Sequence, residues 1–517
     1  MIATTSTDHQ NREQINWKKL QNGSDIRGVA MDGVPGETVN LTPAIAHTLG
    51  QAFATWLGET LGKSPSDLTI SIGRDSRLSG PELLAAVANG MMTIGVSVYT
   101  FGMASTPAMF MSTVNPDLTC DGAIMMTASH LPFNRNGLKF FTAQGGLGKP
   151  DIARILSLAE TSDFQAASTP GTLTEYDFIS VYADTLVNII RQGVDHPTHY
   201  AQPLTGLHII VDAGNGAGGF YATKVLEPLG AMTTGSQFLD PDGTFPNHVP
   251  NPENKEAMAS ICNAVRELKP DFGIIFDTDV DRGAAVDADG KELNRNRLIA
   301  LISAIVLREH PGSTIVTDSI TSDGLTQFIE HDLQGTHHRF KRGYKNVINE
   351  AVRLNQADQE SWLAIETSGH GAMKENYFLD DGAYLVSKLV IELAKSKLQG
   401  QSLSDLIATL KEPEESEEIR IKIKADDFKG YGNQVIEQLK TFAEQQEEWT
   451  IVPNNYEGVR VTCQSTSEDG WFLLRLSLHD PVIPLNIESN VSQGVSSIKH
   501  RLLSFFQSFD ALDLSVF

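Results

Sequence analysis

At 517 residues, with 41% apolar and 20% charged residues, the chain is ordinary globular protein and too long for one core, so several domains are expected. Its net charge of −24 argues against a nucleic-acid binder, which needs a cationic footprint. Three scattered cysteines (Cys120, Cys262 and Cys463) form neither a disulfide framework nor a metal cluster, and the longest apolar run, Leu298 to Leu307, is too short to span a bilayer. The start, Met1 to Gln21, is polar and lacks the apolar stretch of a secretory signal. A cytoplasmic protein is expected, or an organelle-stroma one if the chain is a processed precursor.

Residues 1–170 read as a first α/β domain. Leu68–Ile72 is a predicted strand, a helix starts at Pro81, and Val96–Thr100 returns as a strand, the alternation of a layered α/β fold. Arg74 and Arg77 flank that helix start; they either hold the loop around a nucleophile or pair with Asp75. Gly122–Met126 reads as a buried strand that opens at Thr127 into a loop carrying Ser129, His130, Arg135 and Lys139. A serine there, beside a histidine and with a lysine ten residues on, is either a covalent nucleophile or a polar loop residue. No Gly-x-Ser-x-Gly elbow is present, so acyl transfer of that kind is not favoured.

A second domain is expected over residues 171–292. Apolar residues recur at helical spacing from Tyr176 to Ile190, and Leu207–Asp212 reads as a strand. Gly214-Asn-Gly-Ala-Gly-Gly219 lacks the features of a P-loop or a dinucleotide fingerprint, and tight strand-to-helix packing is the expected use of its glycines. After the apolar Gly273–Phe276, Asp277, Asp279 and Asp281 alternate. Three hard oxygen donors on a strand-end loop suit Mg²⁺, the alternative being a solvated acidic strand face.

The third domain, residues 293–411, contains predicted strands Ser313–Thr317 and Trp362–Ile365 and a long helix from Asp381 to Leu398. Its basic loop, Phe340 to Lys345, is a phosphate contact or a solvated turn. Glu366 and Ser368 follow the second strand, a carboxylate and a hydroxyl suited to sugar hydroxyls. An acidic linker, Glu412 to Glu418, is expected to lead into a fourth domain over 412–517 of short strands (Ile419–Ile423, Val459–Thr462, Phe472–Leu476, Val482–Ile487) and a last helix over Ser496–Ser508. Arg475 and Ser477 stand at a strand end, a good place for a phosphate clamp.

Five of these stretches resemble, in order, the motifs of the α-D-phosphohexomutase superfamily (the phosphomannomutase/phosphoglucomutase family): Ser24-Asp-Ile-Arg-Gly28, Thr127-Ala-Ser-His130, Asp277-Thr-Asp-Val-Asp-Arg282, Glu366-Thr-Ser-Gly-His370 and Arg475-Leu-Ser-Leu-His-Asp-Pro481. The resemblance covers nearly the whole chain. It implies three similar layered α/β domains with mixed sheets and a smaller C-terminal α+β domain, arranged around a central cleft. It implies a phosphoserine at Ser129, with Arg27, His130 and Lys139 as its catalytic neighbours. One Mg²⁺ per chain would be held by Asp277, Asp279, Asp281 and an oxygen of the modified Ser129. Arg282, Gly343, Tyr344, Glu366, Ser368 and His370 would bind the sugar, and Arg475, Ser477 and His479 its distal phosphate. Arginine stays protonated and is a poor general base, so Arg27 suits an electrostatic role and the acid/base work falls to Lys139 or His130. Leu478 and His479 depart from the small or hydroxyl residues common in the family.

The implied reaction is interconversion of hexose 1-phosphate and hexose 6-phosphate, of mannose and/or glucose, through a 1,6-bisphosphate that also serves as activator. Sugar phosphates are the expected partners of a monomer or small homo-oligomer, without nucleic acid or membrane. The alternatives are a phosphoglucosamine mutase, an aspartyl-type phosphatase, and a non-catalytic sugar-phosphate-binding relative. The phosphoglucosamine branch commonly has Gly where Val280 stands and Gln where Thr367 stands.

Overall fold

The computed structural model describes residues 15–477 and 480–517; His479, expected to contact phosphate, and Leu478 lie outside the described residues, as does the first part of the polar start. By packing, the described residues form two compact units: those up to 294 with 368–371 and 376–403, and the remainder.

The first unit contains two mixed sheets. One runs, edge to edge, Gln21–Asn22, Asp25–Val29, Arg135–Thr142, Gly122–Met126, Thr69–Arg74, Ser97–Met103 and Leu173–Glu175. Thr69–Arg74 lies parallel to Ser97–Met103 and to Gly122–Met126, whereas Arg135–Thr142 returns antiparallel. Gly122–Met126 is buried at every position, which explains its unbroken apolar sequence. Its C-terminal end delivers Ser129 to the edge where open α/β sheets place their ligands. The helix Pro43–Leu61 covers this sheet; Thr42 caps it by accepting the Ile45 N–H, Pro43 opens it, and Gly62 closes it at φ 67°.

In the second sheet, Ile209–Asp212 and Phe272–Phe276 are parallel, and Gly283–Asp287 pairs back on Phe272–Phe276. The aspartate loop is therefore the tip of an antiparallel hairpin. The glycines at 214–219 serve close packing, but Gly216 packs on the aspartate loop rather than strand on helix as expected: a Cβ there would come within 2.6 Å of the Thr278 carbonyl oxygen. The helix Gly382–Leu398 packs on Phe178–Val194 and on Gly283–Asp287.

The second unit holds three parallel strands, Thr336–Arg339, Thr314–Thr317 and Ser361–Ile365 in that order. It also holds an antiparallel sheet ordered Trp449–Ile451, Val459–Cys463, Gly470–Leu474, Val482–Ser489, Glu415–Ile423 and Leu512–Asp513. The helices Phe428–Glu444 and Gly494–Phe506 close the core of that sheet with Val435, Leu439, Ile498 and Leu502. Two expectations are corrected here. Glu415–Glu418 are not linker but the first half of a strand: Glu415 accepts the Gln493 and Val495 N–H groups at 2.7 and 3.0 Å, and Glu417 pairs with Lys499. The acidic run disguised a strand whose alternate residues face water. The strand expected to reach Leu476 ends at Leu474, which leaves Arg475 just beyond it.

Candidate active site

Ser129 adopts φ 50°, a left-handed conformation costly for a residue with a Cβ and one that recurs at functional turns. Arg77 is the reason the turn holds. Its side chain is fully buried, pairs with Asp75 at 3.3 Å and donates to the carbonyls of Ser129, Leu131 (2.7 Å), Pro132 (2.8 Å) and Arg135 (3.0 Å). Both readings of Arg77 hold at once: it pairs with the acid and clamps the serine loop. Arg74 donates to the Asp75 carbonyl at 2.9 Å and stays beside the helix start.

The Ser129 hydroxyl is buried and faces the aspartate loop. It donates to Asp277 Oδ2 at 3.3 Å and accepts from the Arg282 guanidinium at 2.9 Å. The same arginine donates to His130 Nδ1 at 2.6 Å, so Nδ1 is an acceptor and any proton on the neutral ring is on Nε2. Burial, then the charges of Arg282 and Arg27, push the His130 imidazole down to about 3, and it stays uncharged at neutral pH. Arg27 pairs with Asp25 at 3.0 Å, and its backbone aligns with Gly137 in the sheet.

Lys139 reaches from the first sheet to Asp279 at 2.9 Å and bonds Asp281 as well. The three aspartates are buried, and one oxygen of each lies within 4.8 Å of the others. Burial raises the Asp277 carboxyl well above its usual range, and the charges of Asp281 and Asp279 add to this. Burial also opposes the charge of Asp281, but Lys139, His370 and Arg282 outweigh it and hold that carboxyl well below. Asp279 Oδ1 is buried and accepts no hydrogen bond among the described residues. Crowded carboxylates with an oxygen left over fit a hard divalent cation such as Mg²⁺.

Val280, between two of these aspartates, sits at φ 66°, a strained setting for a β-branched residue. His370 joins the cluster, its Nε2 at 3.5 Å from Asp281 Oδ1 and its Nδ1 at 2.9 Å from the Ser368 hydroxyl.

In the other unit, Glu366 accepts the Gly343 N–H at 2.6 Å, so the expected sugar loop and basic loop meet one residue before the helix Tyr344–Gln356. Arg475 is buried, and burial lowers its pKa against the pull of Glu457, 3.9 Å away. Glu457 also accepts from Ser319 at 2.6 Å and from the Arg342 N–H at 3.1 Å. Ser477 Oγ accepts the Asp480 N–H at 3.3 Å. Sequence reasoning missed Glu457 and Thr106, whose hydroxyl donates to Asp279; no local pattern pointed to either.

Three family models match: "Phosphoglucomutase/phosphomannomutase, alpha/beta/alpha domain I" over residues 18–166, domain II over 181–290 and domain III over 294–413. The chain is 31% identical over 491 residues to a phosphoglucomutase of Neisseria gonorrhoeae, covering 94% of this chain and 96% of that one. It is 29% identical over 460 residues to a phosphomannomutase/phosphoglucomutase of Pseudomonas putida, covering 88% and 91% of the two. A solved phosphoglucomutase/phosphomannomutase family protein of Burkholderia thailandensis superposes with a TM-score of 0.76 at 26% identity, covering 95% of this chain and 97% of that one.

Proposed function

The chain belongs to the phosphoglucomutase/phosphomannomutase family and is a hexose phosphate mutase, and on that footing we propose that it interconverts the 1- and 6-phosphates of both glucose and mannose through a phosphorylated Ser129. The observation that carries this reading is the Ser129 hydroxyl, buried between the Arg282 guanidinium and the Asp277 carboxylate rather than on an open loop.

In the working form Ser129 carries a phosphoryl group. A hydroxyl of the bound hexose phosphate attacks that phosphorus, the bond to Ser129 Oγ breaks, and a hexose 1,6-bisphosphate forms. The hydroxyl proton leaves the sugar, and Ser129 Oγ ends protonated. The bisphosphate turns over, and its other phosphoryl group returns to Ser129, which explains why free 1,6-bisphosphate would act as activator. Phosphoryl transfer is mostly positioning and charge stabilisation. Arg282, which donates to Ser129 Oγ, supplies charge at the leaving oxygen. Lys139 is the better placed of the two to handle the sugar proton, since Arg282 occupies His130 at Nδ1 and the lowered pKa of that imidazole leaves it a weak base. Asp277, Asp279 and Asp281 would hold Mg²⁺, which draws charge from the transferring group when bound. Glu366, Ser368 and His370 contact the sugar hydroxyls, and Arg475 and Ser477 anchor the phosphate that is not reacting. The three cysteines are free and buried, which supports a reducing compartment such as the cytoplasm. Among the described residues no helix is long and apolar enough to cross a membrane.

Two results are expected. With a catalytic amount of 1,6-bisphosphate, glucose 1-phosphate and mannose 1-phosphate both turn over and galactose 1-phosphate is poor. The expected contacts reach the C3 and C4 hydroxyls, which glucose and mannose share and galactose inverts at C4. A strong preference for glucosamine phosphate in the same kcat/KM panel overturns the assignment in favour of the phosphoglucosamine branch. Separately, chelation with EDTA abolishes turnover and Mg²⁺ restores it; an unaffected rate refutes the role given to the three aspartates.

A further inference from the structure

We infer that Thr106 is a positioning residue for the metal site: its hydroxyl fixes which oxygen of Asp279 is offered to the cation. The inference deepens the reading above and rests on it.

Thr106 opens the short helix Thr106–Met111, whose N-cap Ser105 accepts the Ala108 N–H at 3.3 Å. Its own N–H is one of the amides a helix start leaves without an internal partner. That N–H donates to the Asp279 carbonyl at 2.8 Å, and Thr106 Oγ1 donates to Asp279 Oδ2 at 2.5 Å. One residue thus grips Asp279 at backbone and side chain, and both residues are buried.

The grip divides the carboxylate. Oδ2 accepts from Thr106 and, at 2.9 Å, from Lys139 Nζ. Oδ1 is buried and accepts no hydrogen bond among the described residues. The side-chain torsion of aspartate is soft, so an unheld carboxylate could rotate and exchange its two oxygens. A buried oxygen without a partner is costly and is the atom a cation would satisfy. A hydroxyl suits the task because, unlike the Lys139 ammonium on the same oxygen, it orients Oδ2 without adding a positive charge beside the metal site. Thr106 also comes from the part of the chain that bears Ser129, so the same grip registers the serine domain on the aspartate loop.

The test is the Kd of metal-free, dephosphorylated enzyme for Mg²⁺ by calorimetry and for Mn²⁺ by electron paramagnetic resonance. The variants are Thr106→Val, Thr106→Ala, Thr106→Ser and Asp279→Asn, with the melting temperature of each recorded without metal. Loss of an outer partner of a metal ligand weakens affinity by about 10–100-fold, and that loss is expected for Thr106→Val and Thr106→Ala. Thr106→Ser, which keeps the hydroxyl, should restore binding. Wild-type affinity in both hydroxyl-free variants, alongside weak binding in Asp279→Asn, overturns the inference and leaves the metal reading standing. Failure of Thr106→Ser to restore binding also overturns it. Unchanged affinity in Asp279→Asn instead refutes Asp279 as a ligand. If Thr106→Val and Thr106→Ala bind weakly only in proportion to a fall in metal-free melting temperature, the role is structural and the inference fails.

Discussion

Ser129→Ala is expected to abolish turnover while leaving the fold intact. Ser129 bears the hydroxyl that faces both Asp277 and Arg282, so losing it removes the proposed covalent step and not merely a contact. Alanine keeps the Cβ, so it meets the same left-handed backbone demand at φ 50° as serine does, and the Arg77 clamp uses only the Ser129 carbonyl. Stability should therefore change by less than about 1 kcal/mol, within the range of an uneventful substitution. Intact-mass measurement after incubation with hexose 1,6-bisphosphate reads the outcome: one added phosphoryl group on the wild type and none on Ser129→Ala. Equal turnover by the two proteins would end the phosphoserine mechanism.

Arg77→Met should do the opposite, destabilising the protein as well as silencing it. Methionine roughly fills the space but removes the partner of buried Asp75 and the donor to four carbonyls of the serine loop. Stranding one member of a buried ion pair costs about 3–5 kcal/mol. Asp75 is already raised to about 6, chiefly by burial, with Arg77 pulling it down. A carboxyl raised above its unfolded value opposes folding increasingly as pH climbs from its ordinary value near 3.8 through about 6. Arg77→Met should therefore lose most stability at neutral pH and less in mild acid. Adding Asp75→Asn should recover part of the melting temperature at pH 7 without recovering activity, since the serine loop still lacks its clamp. An Arg77→Met protein that melts with the wild type at pH 7 contradicts this account of the loop.

The strand-end loops were legible in the sequence because each follows an apolar run that could only be buried: Gly122–Met126 before Ser129 and Phe272–Phe276 before Asp277. The use of the glycines at 214–219 was legible because they lacked any companion needed for phosphate. Partners distant in sequence were not. Arg77 looked evenly divided between Asp75 and the serine loop because residue type says nothing about burial, and a fully buried guanidinium has enough donors for both. Arg282 read as a sugar contact, whereas the fold aims it at Ser129 Oγ and His130. Thr106 lies 173 residues from Asp279, and no local pattern announces such a pairing. The left-handed turns at Ser129 and Val280 were likewise invisible, because tertiary packing imposes them against local preference.

Lys139 and Thr106 belong to the domain I match and Asp279 and Asp281 to the domain II match, yet they share hydrogen bonds. The two segments therefore cannot be inherited as interchangeable modules. A chimera that crossed between relatives in the stretch joining them would carry a serine loop tuned to one set of aspartates and meet another. Recombination within this family should succeed there only when the donor brings a matching lysine and hydroxyl, so that serine loop and acidic hairpin travel down a lineage together.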